Sequence, residues 1–240
     1  RHDGGPEEHW PGIAQALLAR RAMVTRRTKE TDIEVVVDLD AEGPIEISTG
    51  IGFFDHMLDL LARHSRIDIT VKAKGDVAVD YHHTVEDVAI ALGEAFREAV
   101  GDKAGVRRFA SGQFPLDEAL VDVALDLSGR PYLAYDVDPV AEWIGTFDPQ
   151  LAEEFWRAFA FGAGITLHIR SLAGRNGHHV IEASFKAVAR ALRDAVRIDT
   201  TTPGEAHEDI AHVAHIVKPD ERNAALVNLL LLAPEERTLV

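Results

Sequence analysis

Two short stretches of the chain carry the same arrangement of side chains that can bind a metal ion. "DYHHTVEDV" runs from Asp80 to Val88, and "NGHHVIEAS" runs from Asn176 to Ser184. Both contain His-His-x-x-Glu, in which the first histidine and the glutamate are four residues apart. Residues at this spacing project from one face of a helix, whereas the second histidine points about 100° away. Each stretch therefore predicts a two-ligand clamp and a third ligand directed elsewhere.

The ligands available to such a site are imidazole nitrogens and carboxylate oxygens. The chain contains no cysteine and 12 histidines, which excludes disulfides, thiolate metal sites and cysteine nucleophiles. Nitrogen and oxygen ligands suit Mn, Fe, Co or Zn, and octahedral coordination with an open position favours Mn or Fe. A zinc protease is a poor fit, because its motif places histidines at i and i+4 with a glutamate directly after the first.

The repeated motif is part of a longer internal duplication. Aligning Asp80–Val100 with Asn176–Val196 gives 8 identities in 21 positions, including both histidines and the glutamate. We therefore predict an α/β (α+β) fold of two homologous sheet-plus-helix halves related by pseudo-twofold symmetry. One helix cannot complete a coordination sphere, so two motif helices must meet, either within one chain or across a subunit interface.

The elements that hold the motifs can be predicted from hydrophobic periodicity. Apolar residues at helical spacing predict helices over 53–64, 84–100, 149–164 and 179–196. Alternation predicts strands over 66–76 and 165–176, and a strand-rich middle over 106–138. Near the start of the chain, a short helical piece is predicted over 13–24, and strands over 32–40 and 44–49 are predicted to pair as a hairpin.

Composition limits the kind of partner. The chain has 25 Lys and Arg against 40 Asp and Glu, a formal net charge of −15. This balance argues against nucleic acid or an anionic membrane as the main partner, while leaving room for a local basic pocket that binds a small phosphorylated substrate. No apolar run approaches the roughly 20 residues that span a bilayer, and a cytoplasmic location is expected.

Longer stretches around both motifs resemble the imidazoleglycerol-phosphate dehydratase family, a lyase family of histidine biosynthesis. They are "TGIGFFDHMLDLLARH", "GDVAVDYHHTVEDVAIALGEA", "FPLDEALVDVALDLSGRPYL" and "TLHIRSLAGRNGHHVIEASFKAVARAL". The resemblance covers about residues 26–196 and implies a ribosomal protein S5 domain 2-like fold. The dehydratase domain would have a first half at 25–112 and a second half at 113–203. Residues 1–24 and 204–240 do not resemble the family and are interpreted as an extension and an appendage.

The resemblance also implies an assembly and a cofactor. Family members form trimers that assemble into a 24-mer, a homo-oligomer with inter-subunit active sites and two Mn(II) ions per active site. The family's metal ligands fall on His56, His82, His83, Glu86, Glu154, His178, His179 and Glu182. Its substrate contacts fall on Glu30, Arg108, Arg130 and Lys186.

Two positions depart from the family pattern. Where the family usually has a histidine ligand, in a "VEHFF"-like stretch, this chain reads "AEEFW" and has Glu154. A carboxylate binds Mn(II), so Glu154 is predicted as a ligand, with an ordinary helix-surface acid as the alternative. The family's "PSTKG"-like phosphate loop is also absent, since the chain reads "RIDTTTPG" after Val196. The phosphate would then be held by Arg108, Arg130 and Lys186.

The implied reaction removes water from imidazole glycerol phosphate and gives imidazole acetol phosphate, so the implied enzyme is a hydro-lyase. Metal ions on the two ring nitrogens would let the ring accept electron density. A protein base would then take the carbon-bound proton, and Glu30 is the candidate, with Glu86 and Glu182 as further acidic groups of the catalytic site. The alternative is a shell-forming scaffold of this family with weak or lost catalysis. A different histidine-ligated metalloenzyme on the same frame is disfavoured by the "DLSGRP" and "FDHM" stretches.

Overall fold

The computed structural model describes residues 19–40, 43 and 45–198 of the 240-residue chain. The first half comprises β1 (Arg21–Arg27), β2 (Thr31–Asp38), β3 (Glu46–Ser48), α1 (Gly52–Ser65), β4 (Asp68–Gly75) and α2 (His82–Val100). The second half comprises β5 (Phe109–Leu116), β6 (Ala119–Asp126), β7 (Tyr132–Asp136), α3 (Gln150–Ala163), β8 (Thr166–Ala173) and α4 (Gly177–Ala195). The predicted appendage at 204–240 and most of the predicted extension at 1–24 lie outside the described residues.

The two halves repeat one sheet topology. The strand order is β1-β2-β4-β3 in the first sheet and β5-β6-β8-β7 in the second. In each sheet the first two pairings are antiparallel and the last is parallel. This repetition confirms the predicted fold of two sheet-plus-helix halves. The predicted division between the halves, at residues 112 and 113, falls inside β5, and the domain boundaries stay a prediction.

The helices pair across the halves rather than within them. α1 packs against α4, and α2 packs against α3. The α2–α3 contact is close enough to require glycine at two positions. A Cβ at Gly93 would lie 2.6 Å from the carbonyl oxygen of Phe159, and one at Gly162 would lie 2.8 Å from the carbonyl oxygen of Ile90. Each helix of one half is therefore fixed against a helix of the other.

Apolar side chains fill the space between the sheets and these helix pairs. β2 alternates buried Ile33, Val35 and Val37 with less buried residues, as expected for a strand with one face on the core. Trp156 and Phe155 of α3 pack against Phe185 of α4, with ring centroids 4.6 and 5.1 Å apart. Within the described residues, no helix combines the length and apolar character needed to cross a membrane.

Two of the predictions near the start of the chain are wrong. The strands predicted to form a hairpin do not pair, because β4 lies between them: β2 pairs antiparallel with β4, and β3 pairs parallel with β4. Residues 21–24, predicted as the end of a helix, lie in β1 and pair with β2. Their side chains alternate between exposed and half-buried, so the period of two prevails once a partner strand is present.

Candidate metal centre

The second motif forms the clamp that its spacing predicts. Asn176 caps α4 by accepting a hydrogen bond from the backbone N–H of His178 at 3.0 Å, which sets His178 in the first turn. Glu182 follows one turn later. His178 Nε2 and Glu182 Oε2 lie 3.0 Å apart. The predicted two-ligand geometry is thus present in the structure without any partner from elsewhere.

A third ligand reaches this clamp from α1. His56 Nε2 lies 3.5 Å from Glu182 Oε2, and ligand atoms of His56, His178 and Glu182 all lie within 4.8 Å of one another. No other group of three metal-binding side chains at this spacing occurs in the described part of the chain. The α1–α4 packing is what joins a histidine of the first half to the motif of the second.

Glu182 is held as a carboxylate. Its side chain is 12% exposed, and burial alone would raise its pKa. The hydrogen bond and charge of Lys186, whose Nζ lies 2.6 Å from Oε1, outweigh that effect together with His178 and His56, so the net pKa of Glu182 is lowered. One oxygen faces the imidazoles and the other faces the ammonium, which leaves Oε2 available to a cation.

Aromatic packing fixes the imidazole of His178. The ring of Phe53, on α1, meets it edge-on with centroids 5.2 Å apart, and Phe147 packs behind Phe53 at 5.0 Å. The centroids of His56 and His178 are 6.0 Å apart. α1 therefore supplies both a ligand and the apolar wall beside a second ligand.

The first motif is arranged differently. α2 begins at His82, whose backbone N–H donates to Asp80 Oδ1 at 2.8 Å, and His82 and Glu86 lie one turn apart. Glu154 is the fifth residue of α3, as His56 is of α1, and α3 packs against α2. In the described region, however, Glu154 has an ion pair with Arg157 at 3.9 Å and does not form a close three-ligand group with His82 and Glu86.

The second histidine of each motif is held by a carboxylate that sequence reasoning missed. His83 Nδ1 lies 3.0 Å from Asp76 Oδ2, and His179 Nδ1 lies 2.8 Å from Glu118 Oε2. These hydrogen bonds are the largest cause of the raised pKa of both histidines. Asp76 follows β4 and Glu118 lies in the β5–β6 turn, and nothing in their spacing marks them as partners of a histidine.

The predicted substrate contacts do not all lie at the cluster. Lys186 joins it through Glu182, whereas Arg108 is bound by Asp126 through Nε at 2.7 Å and Nη2 at 3.1 Å. The Arg130 side chain is exposed, and within the described residues it makes no hydrogen bond or ion pair. Lys186 is therefore the only predicted substrate contact that the described structure ties to the three ligands.

Glu30 lies near the first motif. It is exposed in the β1–β2 turn, where its backbone N–H donates to Thr28 Oγ1 at 3.2 Å. Its carboxylate makes no hydrogen bond or ion pair with another described residue. After the hydrogen bond with Asp76, the charge of Glu30 is among the causes that raise the pKa of His83, so the two side chains are close enough to interact.

A cavity of about 370 Å³ opens beside the start of α2. His82, Asp80 and Tyr81 line one side, and Trp143 and Thr146 line the other. The Tyr81 hydroxyl and Thr146 Oγ1 are 3.2 Å apart, which ties the start of α2 to the loop that carries Trp143. This cavity can admit a small molecule to the first motif.

Comparisons with known proteins place these features in a family. A family model described as "Imidazoleglycerol-phosphate dehydratase" matches residues 49–192. A protein of that name from Rhodopseudomonas palustris is 58% identical over 186 residues, which is 78% of this chain and 94% of the relative. Another of that name, from Alkaliphilus metalliredigens, is 55% identical over 179 residues, covering 75% of this chain and 92% of the relative.

Solved structures give the same result. The imidazoleglycerol-phosphate dehydratase of Staphylococcus aureus superposes with a TM-score of 0.69 at 38% identity, covering 75% of this chain and 99% of that one. The structure of IGPD from Pyrococcus furiosus in complex with (S)-C348 superposes with a TM-score of 0.63 at 38% identity, covering 74% of this chain and 98% of that one. The similarity spans both halves and both motifs.

Proposed function

The chain belongs to the imidazoleglycerol-phosphate dehydratase family, and we propose that His56, His178 and Glu182 bind one of the metal ions with which it acts. The chain is a hydro-lyase of histidine biosynthesis, which removes water from imidazole glycerol phosphate to give imidazole acetol phosphate. The observation that carries the metal proposal is the convergence of three ligand atoms within 4.8 Å.

The chemistry of these ligands fits a divalent first-row metal. Two imidazole nitrogens and one carboxylate oxygen, with no sulfur, suit Mn(II). A carboxylate must be ionised to bind any of these metals, and the lowered pKa of Glu182 meets that requirement. We therefore propose Mn(II) as the cofactor, with two ions per active site.

The second ion of the proposed pair would be bound by residues of the first motif. His82 and Glu86 would form its two-ligand clamp. Glu154 is the fifth residue of α3, as His56 is the fifth residue of α1. The repeated helix pairing, α1 with α4 and α3 with α2, supports this assignment. The carboxylate in place of an imidazole makes this site richer in oxygen, which Mn(II) accepts.

His83 and His179 support an active site that is shared between subunits. Neither belongs to the three-ligand group at His56, and both side chains are partly exposed. A histidine that faces away from its own protomer can complete the coordination sphere of a metal bound by another. Trimers that assemble into a 24-mer, with inter-subunit active sites, would provide such neighbours.

The protein residues would carry out the proton transfer. Metal ions held by these residues would supply positive charge that makes the carbon–hydrogen bond beside the imidazole ring more acidic. Glu30 takes that proton, for which its carboxylate has no competing hydrogen bond among the described residues. The hydroxyl on the neighbouring carbon would leave as water after taking up the proton that Glu30 removed, and the resulting enol would become the ketone. Glu182 holds the imidazole of His178 in place, and Glu86 would act as a metal ligand one turn after His82.

Basic side chains would bind the phosphate. The guanidinium of Arg130 is exposed and unpaired within the described region, so its donors are free for phosphate oxygens. Asp126 engages two nitrogens of Arg108 and fixes the direction of the remaining one. Lys186 would add a positive charge beside the three proposed metal ligands, because it pairs with Glu182. A phosphorylated substrate does not cross membranes readily, and we propose a cytoplasmic location for the enzyme.

A metal add-back experiment tests this function. The full chain is stripped of metal and assayed for dehydration of imidazole glycerol phosphate before and after addition of Mn(II), alongside Glu154→His. We expect no turnover without metal and recovery with Mn(II) in the parent. Absence of turnover in both proteins at full metal occupancy would contradict the enzyme and favour the scaffold of the same family.

A further inference from the structure

The second histidine of each motif is bound at the same ring atom in both halves. Asp76 Oδ2 meets Nδ1 of His83 at 3.0 Å, and Glu118 Oε2 meets Nδ1 of His179 at 2.8 Å. An imidazole that donates Nδ1–H to a carboxylate carries its lone pair on Nε2. We propose that Asp76 and Glu118 are positioning residues that make Nε2 the atom that His83 and His179 offer to a metal ion.

The two carboxylates reach their histidines from different places in the fold. Asp76 directly follows β4, whereas the corresponding segment after β8 reads Gly174, Arg175, Asn176 and contains no acid. Glu118 instead precedes β6, in the turn after β5. A shared ancestry of the two halves would have produced the same residue at the same place. Both halves contain a hydrogen bond between a carboxylate and the second histidine, although the carboxylate comes from a different position in each half. This indicates that the hydrogen bond itself is required.

Glu118 is fixed by more than its histidine. Its Oε1 accepts hydrogen bonds from the backbone N–H groups of Arg175 at 3.3 Å and Asn176 at 2.9 Å, immediately before α4. These contacts and the hydrogen bond with His179, which is the largest cause, lower the pKa of Glu118 to about 2. Three contacts therefore fix the orientation of this carboxylate beside His179.

Asp76 serves His83 alone. Its Oδ1 is buried and has no hydrogen-bond partner within the described residues, so Oδ2 makes the one side-chain contact of this carboxylate. An acid with a buried, unpaired oxygen is costly to keep. The unpaired oxygen of Asp76 is explained if its other oxygen, which orients the imidazole of His83, is needed for function.

The contact of Asp76 with His83 also explains why the carboxylate of Glu30 has no hydrogen-bond partner within the described residues. Glu30 and Glu118 occupy matching places, since each is the residue directly before the second strand of its hairpin, Thr31 or Ala119. In the second half that residue holds the histidine. In the first half Asp76 takes this role, and Glu30 keeps an unengaged carboxylate beside the first motif. Only the first-half residue is then available as a base.

This inference rests on the proposed function, in which His83 and His179 bind metal. An amide in place of either carboxylate can donate to Nδ1 and so favour the tautomer with the proton on Nε2, in which Nε2 cannot bind a metal. Loss of such an outer partner weakens metal binding about 10- to 100-fold. Glu118→Gln and Asp76→Asn should each show a loss of this size.

The test is calorimetric titration of the metal-stripped full chain with Mn(II). The matched controls are Glu98→Gln and Asp136→Asn, which change exposed acids whose side chains make no hydrogen bond or ion pair within the described residues. These controls should bind Mn(II) as the parent does. Melting of each metal-free variant, followed by circular dichroism, separates weaker metal binding from a loss of folding. If Glu118→Gln does not fold, Asp76→Asn, which has no contact with the loop before α4, provides the test.

Double variants distinguish positioning from a general effect on the loop. In a His179→Ala background, Glu118→Gln should cause no further loss of affinity, because its effect passes through that imidazole. A further loss would mean that Glu118 acts through the loop, and would overturn the inference for this residue. Unchanged affinity in Glu118→Gln and Asp76→Asn, where His179→Ala and His83→Ala weaken binding, would overturn the inference and leave the proposed function intact. Unchanged affinity in both histidine variants would instead contradict the ligand assignment.

Discussion

His56 of α1 and Glu182 of α4 lie 3.5 Å apart, so one carboxylate joins the first half of the chain to the second. The same oxygen faces His178 at 3.0 Å. Because Lys186 occupies the other oxygen, Glu182 connects a candidate metal ion to a positive charge suited to a phosphorylated substrate. Changes at this residue should therefore affect both functions.

Removal of the charge on Glu182 should abolish this metal site. In Glu182→Gln the anionic ligand is lost and the ammonium of Lys186 loses its partner. We expect Mn(II) affinity at this site and kcat/KM each to fall by at least about 100-fold, since a directly bound ligand matters more than an outer partner. Metal analysis and steady-state kinetics measure these effects. Glu98→Gln is the matched control, and a Glu182→Gln protein with parental metal content would refute the assignment.

Glu154 and its neighbour Glu153 provide a direct comparison on α3. Both carboxylates pair with Arg157, but only Glu154 corresponds to His56. Glu154→Ala should reduce the bound Mn(II) from the proposed two ions per active site towards one, whereas Glu153→Ala should leave the content unchanged. Elemental analysis after dialysis gives the stoichiometry. Equal metal content in the two variants would show that Glu154 is an ordinary surface acid.

Arg130 should contribute to substrate binding more than to the chemical step. A charge-assisted hydrogen bond contributes about 1.5–3 kcal/mol, so Arg130→Ala should raise KM about 10- to 100-fold with little change in kcat. Arg107→Ala, another exposed arginine without a side-chain contact within the described residues, is the control. Steady-state kinetics with the phosphorylated substrate separates KM from kcat, and an unchanged KM in Arg130→Ala would exclude it from the phosphate site.

The close contact between α2 and α3 should be sensitive to a single methyl group. The Cβ of Gly93→Ala would lie 2.6 Å from a backbone oxygen of α3, and relief of this overlap requires the helices to separate. We expect a loss of about 1–3 kcal/mol in the free energy of unfolding. Gly52→Ala, where a Cβ meets nothing within 4 Å, should be neutral or slightly stabilising. Chemical denaturation compares the two, and equal stabilities would mean that the helices can move apart freely.

Asp68 should make the stability of the fold depend on pH. Burial, reinforced by the charge of Asp38, raises its pKa above the ordinary value of 3.8. A raised carboxyl pKa favours folding at low pH, and this contribution is lost as pH rises from about 3.8 through the folded-state pKa. Asp68→Asn should thus raise the melting temperature at pH 7 and lose that advantage below pH 3.8. If Asp68→Asn changed the melting temperature equally at pH 7 and below pH 3.8, this account would be contradicted.

The parts of the fold and site that depend on local spacing could be predicted from the sequence. The helix at α4 and the His178–Glu182 clamp follow from the period of a helix, because residues four apart must share a face. The pairing of β3 with β4 instead of β2 was missed, since two strands adjacent in sequence, here β2 and β3, need not be adjacent in a sheet. The contact of His179 with Glu118 also depends on a turn distant in sequence. Local periodicity contains no information about such contacts.

The crossed pairing of the helices bears on how the duplicated chain arose. A protein half as long would have contained one helix like α1 and one like α4, but these pack together only when they come from different halves. Two identical copies would have been needed, in which the helix like α1 of each copy contributed a ligand to the motif helix of the other. In a single chain that holds both halves, the same helix contact is intramolecular. A single chain also allows the copies to differ, so that Glu118 holds an imidazole while the carboxylate of its counterpart Glu30 makes no hydrogen bond within the described residues.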